Sequence, residues 1–361
     1  MIELADLFRR HGAGLRGLNR DQRKALRAIM HCRTPALGGH LYACKDCGRH
    51  HLACHSCNHR SCPRCGGSDA QAWLERNQRK LLPVPYFMVT FTVPAELRAF
   101  ARREPALFYR MLMKEAAATL QDVARSKLSG EAGFLGVLHT WTRELLFHPH
   151  VHFIVPGGVF DEKRQTWSAL KNPDFLLPVA VLSRRFRARM RAALGEAGKA
   201  GEHFTAVPST AWKKNWVVHS QPAGSGHEVL GYLSAYVFRT AISERRILRE
   251  ENGSITFAYT PSGTRTQKTC TLPVEAFLKR VLQHVLPKGL HKIGYFGWLH
   301  PRAKARLEVV RGLLQTPLLL AEPPQRPQLQ CPHCQHRTLV RIARIGRVHA
   351  QRFYSSSFDS S

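Results

Sequence analysis

Two histidines, His150 and His152, alternate with apolar residues in a run that predicts a β-strand beginning just after Pro149. A strand sends residues i and i+2 to the same face, so the two imidazoles would project side by side while Val151 and Phe153 enter the core. Such a pair can hold one divalent metal ion. For an isolated His-x-His motif, two half-buried strand histidines are the more common outcome, so the motif needs companions.

One candidate companion is His139, on the strand predicted just before the histidine pair. If the hairpin turn centres on residues 145–146, antiparallel pairing places His139 directly opposite His152, on the same face, where it would be a third metal ligand. A shift of the turn by one residue would send it to the other face. The alternative interpretation is a histidine at the edge of the core, beside Trp141.

A tyrosine pair downstream could supply a nucleophile. A predicted helix opening at His227 carries Tyr232 and Tyr236, four residues apart and therefore on one helical face. A phenol near a metal-polarised phosphodiester is a competent nucleophile. The same positions also continue an apolar stripe with Val229 and Leu233, so packing is the competing interpretation.

Seven cysteines and one histidine lie close together in the N-terminal region, and six of these cysteines form Cys-x-x-Cys pairs. In a reducing cytosol such pairs indicate metal rather than disulfides, and tetrahedral zinc takes four ligands, so eight candidates predict two structural sites. The candidates are Cys32, His40, Cys44, Cys47, Cys54, Cys57, Cys62 and Cys65. We expect the first and third pairs to share one site and the other four residues to form the second, although spacing leaves the partition open.

The chain is strongly basic, with 54 Lys and Arg against 25 Asp and Glu and a net charge of +29. This charge would repel itself unless a polyanion binds, so nucleic acid is the expected partner. Basic residues predicted to contact phosphate fall on an arginine-rich helix, on a basic aromatic patch and beside the tyrosine helix; a solvated charged face is the alternative. They are Arg184, Arg185, Arg187, Lys213, Lys214, Arg245 and Arg246.

Three regions are expected along the chain. Residues 1–82 form a zinc-binding region for DNA recognition, 83–315 a catalytic domain and 316–361 a proline-rich, basic and partly disordered tail. The tail carries Cys331 and Cys334, half of a zinc site that looks incomplete. Neither a signal peptide nor an apolar run of membrane-spanning length is present, so we expect a soluble cytoplasmic protein without a membrane partner.

Several runs, in order from about residue 25 to 315, resemble one family, the rolling-circle transposases of the insertion sequence ninety-one type, which belong to the wider HUH endonucleases. The runs lie at 32–40, 61–65, 82–87, 148–152, 232–236, 241–246 and 284–289. The resemblance implies an α+β fold, with a palm-like HUH antiparallel sheet, flanking helices and a small N-terminal zinc-binding domain.

The resemblance also implies residue roles. His150 and His152 would bind Mg²⁺ or Mn²⁺, and Tyr232 and Tyr236 would be nucleophiles, although family members with a single tyrosine exist. Some HUH enzymes take a third ligand four residues past the tyrosine. Here those positions hold Tyr236 and Thr240, which favours His139 as the third ligand.

The implied reaction is nicking and rejoining of single-stranded DNA at insertion-sequence ends through a 5′-phosphotyrosine. The expected partners are the element ends, single-stranded or hairpin, and target DNA; the oligomeric state is left open. Alternatives are a plasmid replication initiator or relaxase of the HUH class and a noncatalytic zinc-finger DNA-binding regulator. The zinc region and the run at 241–246 favour the transposase, and a regulator would leave the histidine and tyrosine pairs as coincidences.

Overall fold

The computed structural model describes residues 1–199, 207–224, 228–229, 240–261, 263–316 and 329–350. The helices of these ranges are α1 Leu4–His11, α2 Arg20–Met30, α3 Gly66–Gln78, α4 Arg98–Arg103, α5 Pro105–Leu128, α6 Val179–Lys199, α7 Thr210–Lys213, α8 Val274–Leu282 and α9 Lys304–Leu313. Among the described residues, no helix combines the length and apolarity that crossing a bilayer requires.

The strands of the described residues form four antiparallel sheets. They are β1 Gly39–Cys44, β2 His50–Cys54, β3 Tyr86–Thr92, β4 Phe134–Trp141, β5 Phe147–Pro156, β6 Gly158–Asp161, β7 Thr166–Ala169, β8 Val218–Pro222, β9 Ile247–Glu251, β10 Ser254–Tyr259, β11 Lys268–Pro273, β12 Ile293–Phe296 and β13 Leu339–Ile345. This mixture of helices with antiparallel sheets confirms the predicted α+β class.

A five-stranded sheet in the order β12-β4-β5-β3-β8 forms the centre of the molecule. One face packs against α4, α5 and α6, where Phe91, Phe153 and Phe186 meet edge to face. The burial pattern of β5 alternates from Phe147 to Phe153, as the sequence predicts, because one face enters this core and the other does not. The histidines therefore lie on the face away from the phenylalanine core.

The histidine strand begins earlier than the sequence indicates, because β5 continues through Pro149. A bulge makes this possible: His139 pairs with His150 and Trp141 with Phe147, so one residue of β4 lies opposite two of β5. Proline lacks the backbone N–H that a regular ladder requires, and a bulge is one of the positions where it is tolerated.

A second sheet, in the order β11-β10-β9, packs against α1, α2 and α8. The Asn252-Gly253 pair between two strand-like runs predicts a hairpin turn, and the structure confirms it: both residues have positive φ, as a two-residue turn of this type requires. Phe8 and Ile29 from the N-terminal helices share a hydrophobic cluster with Phe257 and Phe277. The zinc-binding region is thus packed against the C-terminal half of the chain.

Two other predicted elements differ from the structure. The apolar stripe that follows Pro94 predicts one long helix to about Ser129, but the structure divides it into α4 and α5 at Glu104, because the residue before Pro105 is pushed out of the helical conformation. The run from Trp212 to Ser220 predicts a strand preceded by a basic, aromatic patch; the strand begins at Val218, and part of the patch forms the short helix α7.

Candidate metal centre and cysteine clusters

Three histidines converge on the face of the central sheet opposite the phenylalanine core. His139 comes from the end of β4, and His150 and His152 come from β5. One ring nitrogen of each lies within 4.8 Å of the others, and the ring centroids are 4.7 to 5.5 Å apart. The structure therefore brings together the three predicted ligands, while their role as ligands stays a prediction.

The register of this pairing differs from the expected one. His139 lies opposite His150, and the partner of His152 is Val137. The pairing is offset by two residues from the predicted one, because the length of the turn and the position of the bulge set the register and neither can be deduced from the sequence alone. An offset of two keeps every side chain on its face, so the three histidines still meet.

Hydrogen bonds orient two of the imidazoles. Nδ1 of His150 lies 2.6 Å from the carbonyl oxygen of His148; because a carbonyl can only accept, this nitrogen donates and Nε2 carries the free lone pair. Nδ1 of His152 shares a 2.8 Å hydrogen bond with Oγ1 of Thr90 on β3. Metal-binding histidines are held in this way by their second nitrogen. Sequence reasoning missed Thr90, whose only signal is a polar residue in an apolar strand.

Burial lowers the pKa of His150 to about 4 and that of His152 to about 3. Both imidazoles are therefore neutral near neutral pH. Neutral imidazole is the form that binds a metal ion, so this pair needs no deprotonation before binding.

His139 is also packed against an aromatic neighbour. Its ring is buried and stacks on Trp141 with centroids 4.9 Å apart and an interplanar angle of 22°. Nζ of Lys292 lies over the indole of Trp141, 5.0 Å from the ring centroid. His139 therefore lies beside Trp141 and beside the two other histidines at the same time, so the two interpretations of this residue do not exclude each other. The stacking on Trp141 restricts the orientation of its ring.

A cluster of four cysteines occupies the N-terminal region. Cys32, Cys57, Cys62 and Cys65 have sulfurs within 4.8 Å of one another. The sulfurs of Cys32 and Cys65 are 3.4 Å apart, and those of Cys57 and Cys65 are 3.5 Å apart. Four thiolates about 2.3 Å from a zinc ion would be about 3.8 Å from each other. The arrangement fits one tetrahedral zinc ion.

A second cluster joins Cys44 and Cys47 to Cys331 and Cys334 of the tail. The expected partition was therefore wrong, and so was the view that the tail pair is incomplete. In the β1–β2 ladder Cys54 pairs with Gly39, at the opposite end of β1 from Cys44. Five residues of strand span roughly 16 Å, so Cys44 lies far from the end of the ladder where Cys54 leads into the first cluster.

Two candidate zinc ligands, His40 and Cys54, lie outside both clusters. The ring of His40 contacts that of His55 edge to face at 4.6 Å, and its Nδ1 is buried. Cys54 ends β2 on the other side of the same ladder and is half-buried. Their positions within the β1–β2 pair keep both from completing a four-sulfur set.

Polar neighbours favour the thiolate form at one position in each cluster. Hydrogen bonding to Cys62 lowers the pKa of Cys57 to about 5. The Thr338 hydroxyl, whose oxygen lies 3.3 Å from the sulfur of Cys44, lowers the pKa of Cys44 to about 6. Thiolates are the form that binds metal.

The basic residues predicted to bind DNA divide into two groups. Arg184, Arg185, Lys213 and Arg245 are exposed. The remaining three are bonded within the protein: Arg187 donates to the carbonyl of Lys214, Lys214 pairs with Glu96, and Arg246 donates to the carbonyl of Ala258.

Part of the positive charge of the arginine-rich helix α6 is neutralised within the protein, which its own sequence does not indicate. Arg189 pairs with Glu115 and Asp122 of α5, so acids on a neighbouring helix balance part of its charge. Ser183 directly precedes the arginine run, which predicts a helix cap, but it lies inside α6 and donates to the carbonyl of Trp216.

The candidate nucleophiles Tyr232 and Tyr236 lie outside the described residues. The chain on either side is placed: Val229 packs beside Ile154 in a cluster on the histidine-bearing face of the sheet, and Ile242 packs with α1 and α8.

Comparison with known proteins decides the family. A family described as "Transposase zinc-binding domain" matches residues 3–93, and one described as "Putative transposase" matches residues 133–306. Over 378 aligned positions the chain is 37% identical to the "Putative transposase y4qJ" of Sinorhizobium fredii (strain NBRC 101917 / NGR234), covering 94% of both chains. The chain belongs to the IS91 family of transposases.

A second relative of this transposase is the "Transposase for insertion sequence element IS801" of Pseudomonas savastanoi pv. phaseolicola. The two are 29% identical over 309 aligned positions, which cover 79% of this chain and 72% of the relative. The family confirms the expected function class over a plasmid initiator or a zinc-finger regulator, and it implies DNA binding and DNA cleavage. The matched zinc-binding domain and the cysteine clusters support bound zinc.

Proposed function

We propose that this transposase nicks and rejoins single-stranded DNA at the ends of its insertion sequence through a 5′-phosphotyrosine intermediate, as in rolling-circle transposition. One observation carries the proposal: His139, His150 and His152 place ring nitrogens within 4.8 Å of one another on the face of the central sheet opposite the phenylalanine core. Three imidazoles at this spacing form a metal-binding set, and among the residues that the structure describes no acidic side chain joins it, so the remaining coordination positions would fall to water and phosphate oxygens.

The donor set fits a divalent ion. Nδ1 of His150 and Nδ1 of His152 are each in a hydrogen bond that orients the ring, and His139 is held by its stacking on Trp141. A bound Mg²⁺ or Mn²⁺ supplies Lewis acidity that withdraws charge from the scissile phosphate. The role of the three histidines is to hold that ion at the sheet and to orient the phosphate beside it.

In this proposal Tyr232 or Tyr236 is the nucleophile. The phenolic oxygen loses its proton to solvent and bonds to phosphorus, while the bond from phosphorus to the 3′ oxygen breaks and that oxygen takes up a proton. The products are a 5′-phosphotyrosine and a free 3′-OH. Because the phosphotyrosine is itself an ester, a second 3′-OH can displace the tyrosine and rejoin DNA without ATP. Two tyrosines allow two such links at once.

The remaining regions position the DNA. We assign recognition of the element ends to residues 1–82 and the chemistry to 83–315, with the zinc of the cluster around Cys57 holding the recognition region in shape. Among the basic candidates, the exposed Arg184, Arg185, Lys213 and Arg245 supply phosphate contacts. Arg187, Lys214 and Arg246 hold neighbouring protein groups instead.

A single assay tests the proposal. Purified protein is incubated with end-labelled single-stranded DNA of the element ends and Mg²⁺ or Mn²⁺, and the mixture is separated under denaturing conditions. We expect a metal-dependent protein–DNA adduct that contains the strand on the 3′ side of the cut, so that a label at the 3′ end is found in it, and release of this DNA when a 3′-OH strand is added. Cleavage that leaves a free 5′ phosphate and no adduct would contradict the tyrosine mechanism.

A further inference from the structure

The C-terminal segment folds back onto the zinc-binding region. β13 pairs antiparallel with β1, from Gly39 opposite Ile345 to Cys44 opposite Leu339, and gives a three-stranded sheet in the order β13-β1-β2. This segment lies outside both family matches, which cover residues 3–93 and 133–306. It therefore carries structure that the family assignment leaves without a role.

The two Cys-x-x-Cys turns at the end of this sheet have the same backbone form. The carbonyl of Cys44 accepts from the N–H of Gly48, and the carbonyl of Cys331 accepts from the N–H of Gln335, four residues on in both turns. The residue after the second cysteine has positive φ in each turn, +67° at Gly48 and +65° at Gln335. Glutamine in this left-handed conformation is strained, so the tail sequence adopts the turn in spite of a local cost.

The turns face each other with their sulfurs at metal-binding distances. Cys44 and Cys334 are 3.5 Å apart at sulfur, and Cys47 and Cys331 are 3.8 Å apart. These distances are close to the sulfur–sulfur separation of about 3.8 Å expected for four thiolates around one zinc ion. They are far longer than a disulfide bond. Cys44 and Cys331 are buried, and Cys334 is half-buried.

A hydrogen-bonded shell supports the same cluster. The Thr338 hydroxyl donates to Oδ2 of Asp46 at 2.7 Å, and Nδ1 of His336 lies 2.9 Å from the same oxygen. Asp46 lies between the two cysteines of its turn, so these contacts join the two turns across the site. His336 and Asp46 also lie near Cys334, but both are exposed and bonded to each other, which leaves the four sulfurs as the more complete ligand set.

We propose that Cys44, Cys47, Cys331 and Cys334 bind one zinc ion, so that the two ends of the chain together form a second zinc site. The tail is then an integral part of the zinc-binding region and not an appendage. This site is independent of the proposed cleavage chemistry, because its ligands lie apart from the histidine centre and zinc content can be measured without DNA.

Elemental analysis of full-length variants tests the proposal. We expect two zinc ions per chain for the wild type and one for Cys331→Ser/Cys334→Ser. Cys270→Ser, outside both clusters, should keep two. Two zinc ions in the tail variant would overturn the proposal.

A measurement on the wild type covers the case in which the tail variant fails to fold. Cys47 is exposed, so its thiol should react rapidly with iodoacetamide unless a metal binds it. We expect Cys47, Cys331 and Cys334 to resist alkylation in zinc-loaded protein and to react after chelation, as mapped by mass spectrometry. Equal reaction rates of Cys47 and Cys331 before and after chelation would reject the site.

Discussion

Thr90 Oγ1 and His152 Nδ1 lie 2.8 Å apart across neighbouring strands, and the two residues are direct partners in the ladder between β3 and β5. Replacing Thr90 by valine keeps the shape of the side chain and removes this hydrogen bond. We expect the variant to need a metal concentration about 10–100-fold higher for half-maximal adduct formation, because the imidazole is no longer held in one orientation.

The matched control for this change is Thr92→Val. Thr92 pairs with His150, whose Nδ1 is already bonded to the carbonyl of His148, so its metal requirement should stay at the wild-type value. An unchanged metal requirement for Thr90→Val would show that Thr90 has no positioning role.

The histidine centre makes a separate prediction. His150→Ala and His152→Ala should each abolish cleavage while leaving DNA affinity within about twofold, because the metal acts on the chemistry and the basic surface supplies affinity. His139→Ala should raise the metal requirement. Adduct yield against metal concentration and gel-shift affinity measure the two effects separately, and wild-type cleavage by the His150 variant would remove the metal assignment.

The tyrosines are tested by removing only their hydroxyl groups. The double variant Tyr232→Phe/Tyr236→Phe keeps both rings, so a packing role predicts little loss of activity. We expect it to fold, to bind single-stranded DNA with an unchanged salt dependence and to form no adduct. Among the single variants, Tyr236→Phe should lose more adduct than Tyr232→Phe. Adduct formation by the double variant would contradict the mechanism.

Two adjacent arginines should behave differently. Arg246 donates to the carbonyls of Ala258 and Arg143 and lies over the ring of Phe257, whereas Arg245 is exposed. Arg246→Ala should lower stability by about 1–3 kcal/mol, because it leaves carbonyl groups unsatisfied. Arg245→Ala should leave the melting temperature unchanged and reduce the salt slope of DNA binding by about 1. Thermal melting and binding at several salt concentrations distinguish the two outcomes.

The local sequence determined those features that depend on periodicity. Alternation along β5 placed His150 and His152 on one face, because successive side chains of a strand point to opposite faces whatever strand pairs with it. The Asn252-Gly253 turn was equally local, since positive φ at both positions selects that sequence. The motifs of both family regions were also visible in sequence order, and the comparisons confirm the family.

Tertiary structure decided which distant residues meet. The bulge at Pro149 set the pairing of His139 with His150, and the fold of the tail onto β1 brought Cys331 to Cys47 across 284 residues of chain. It also assigned Arg246 to protein carbonyls and left Arg245 to solvent. Spacing along the chain specifies the two thiols of one turn, because they are local. It carries no information on the second turn, because that choice depends on which strands pair.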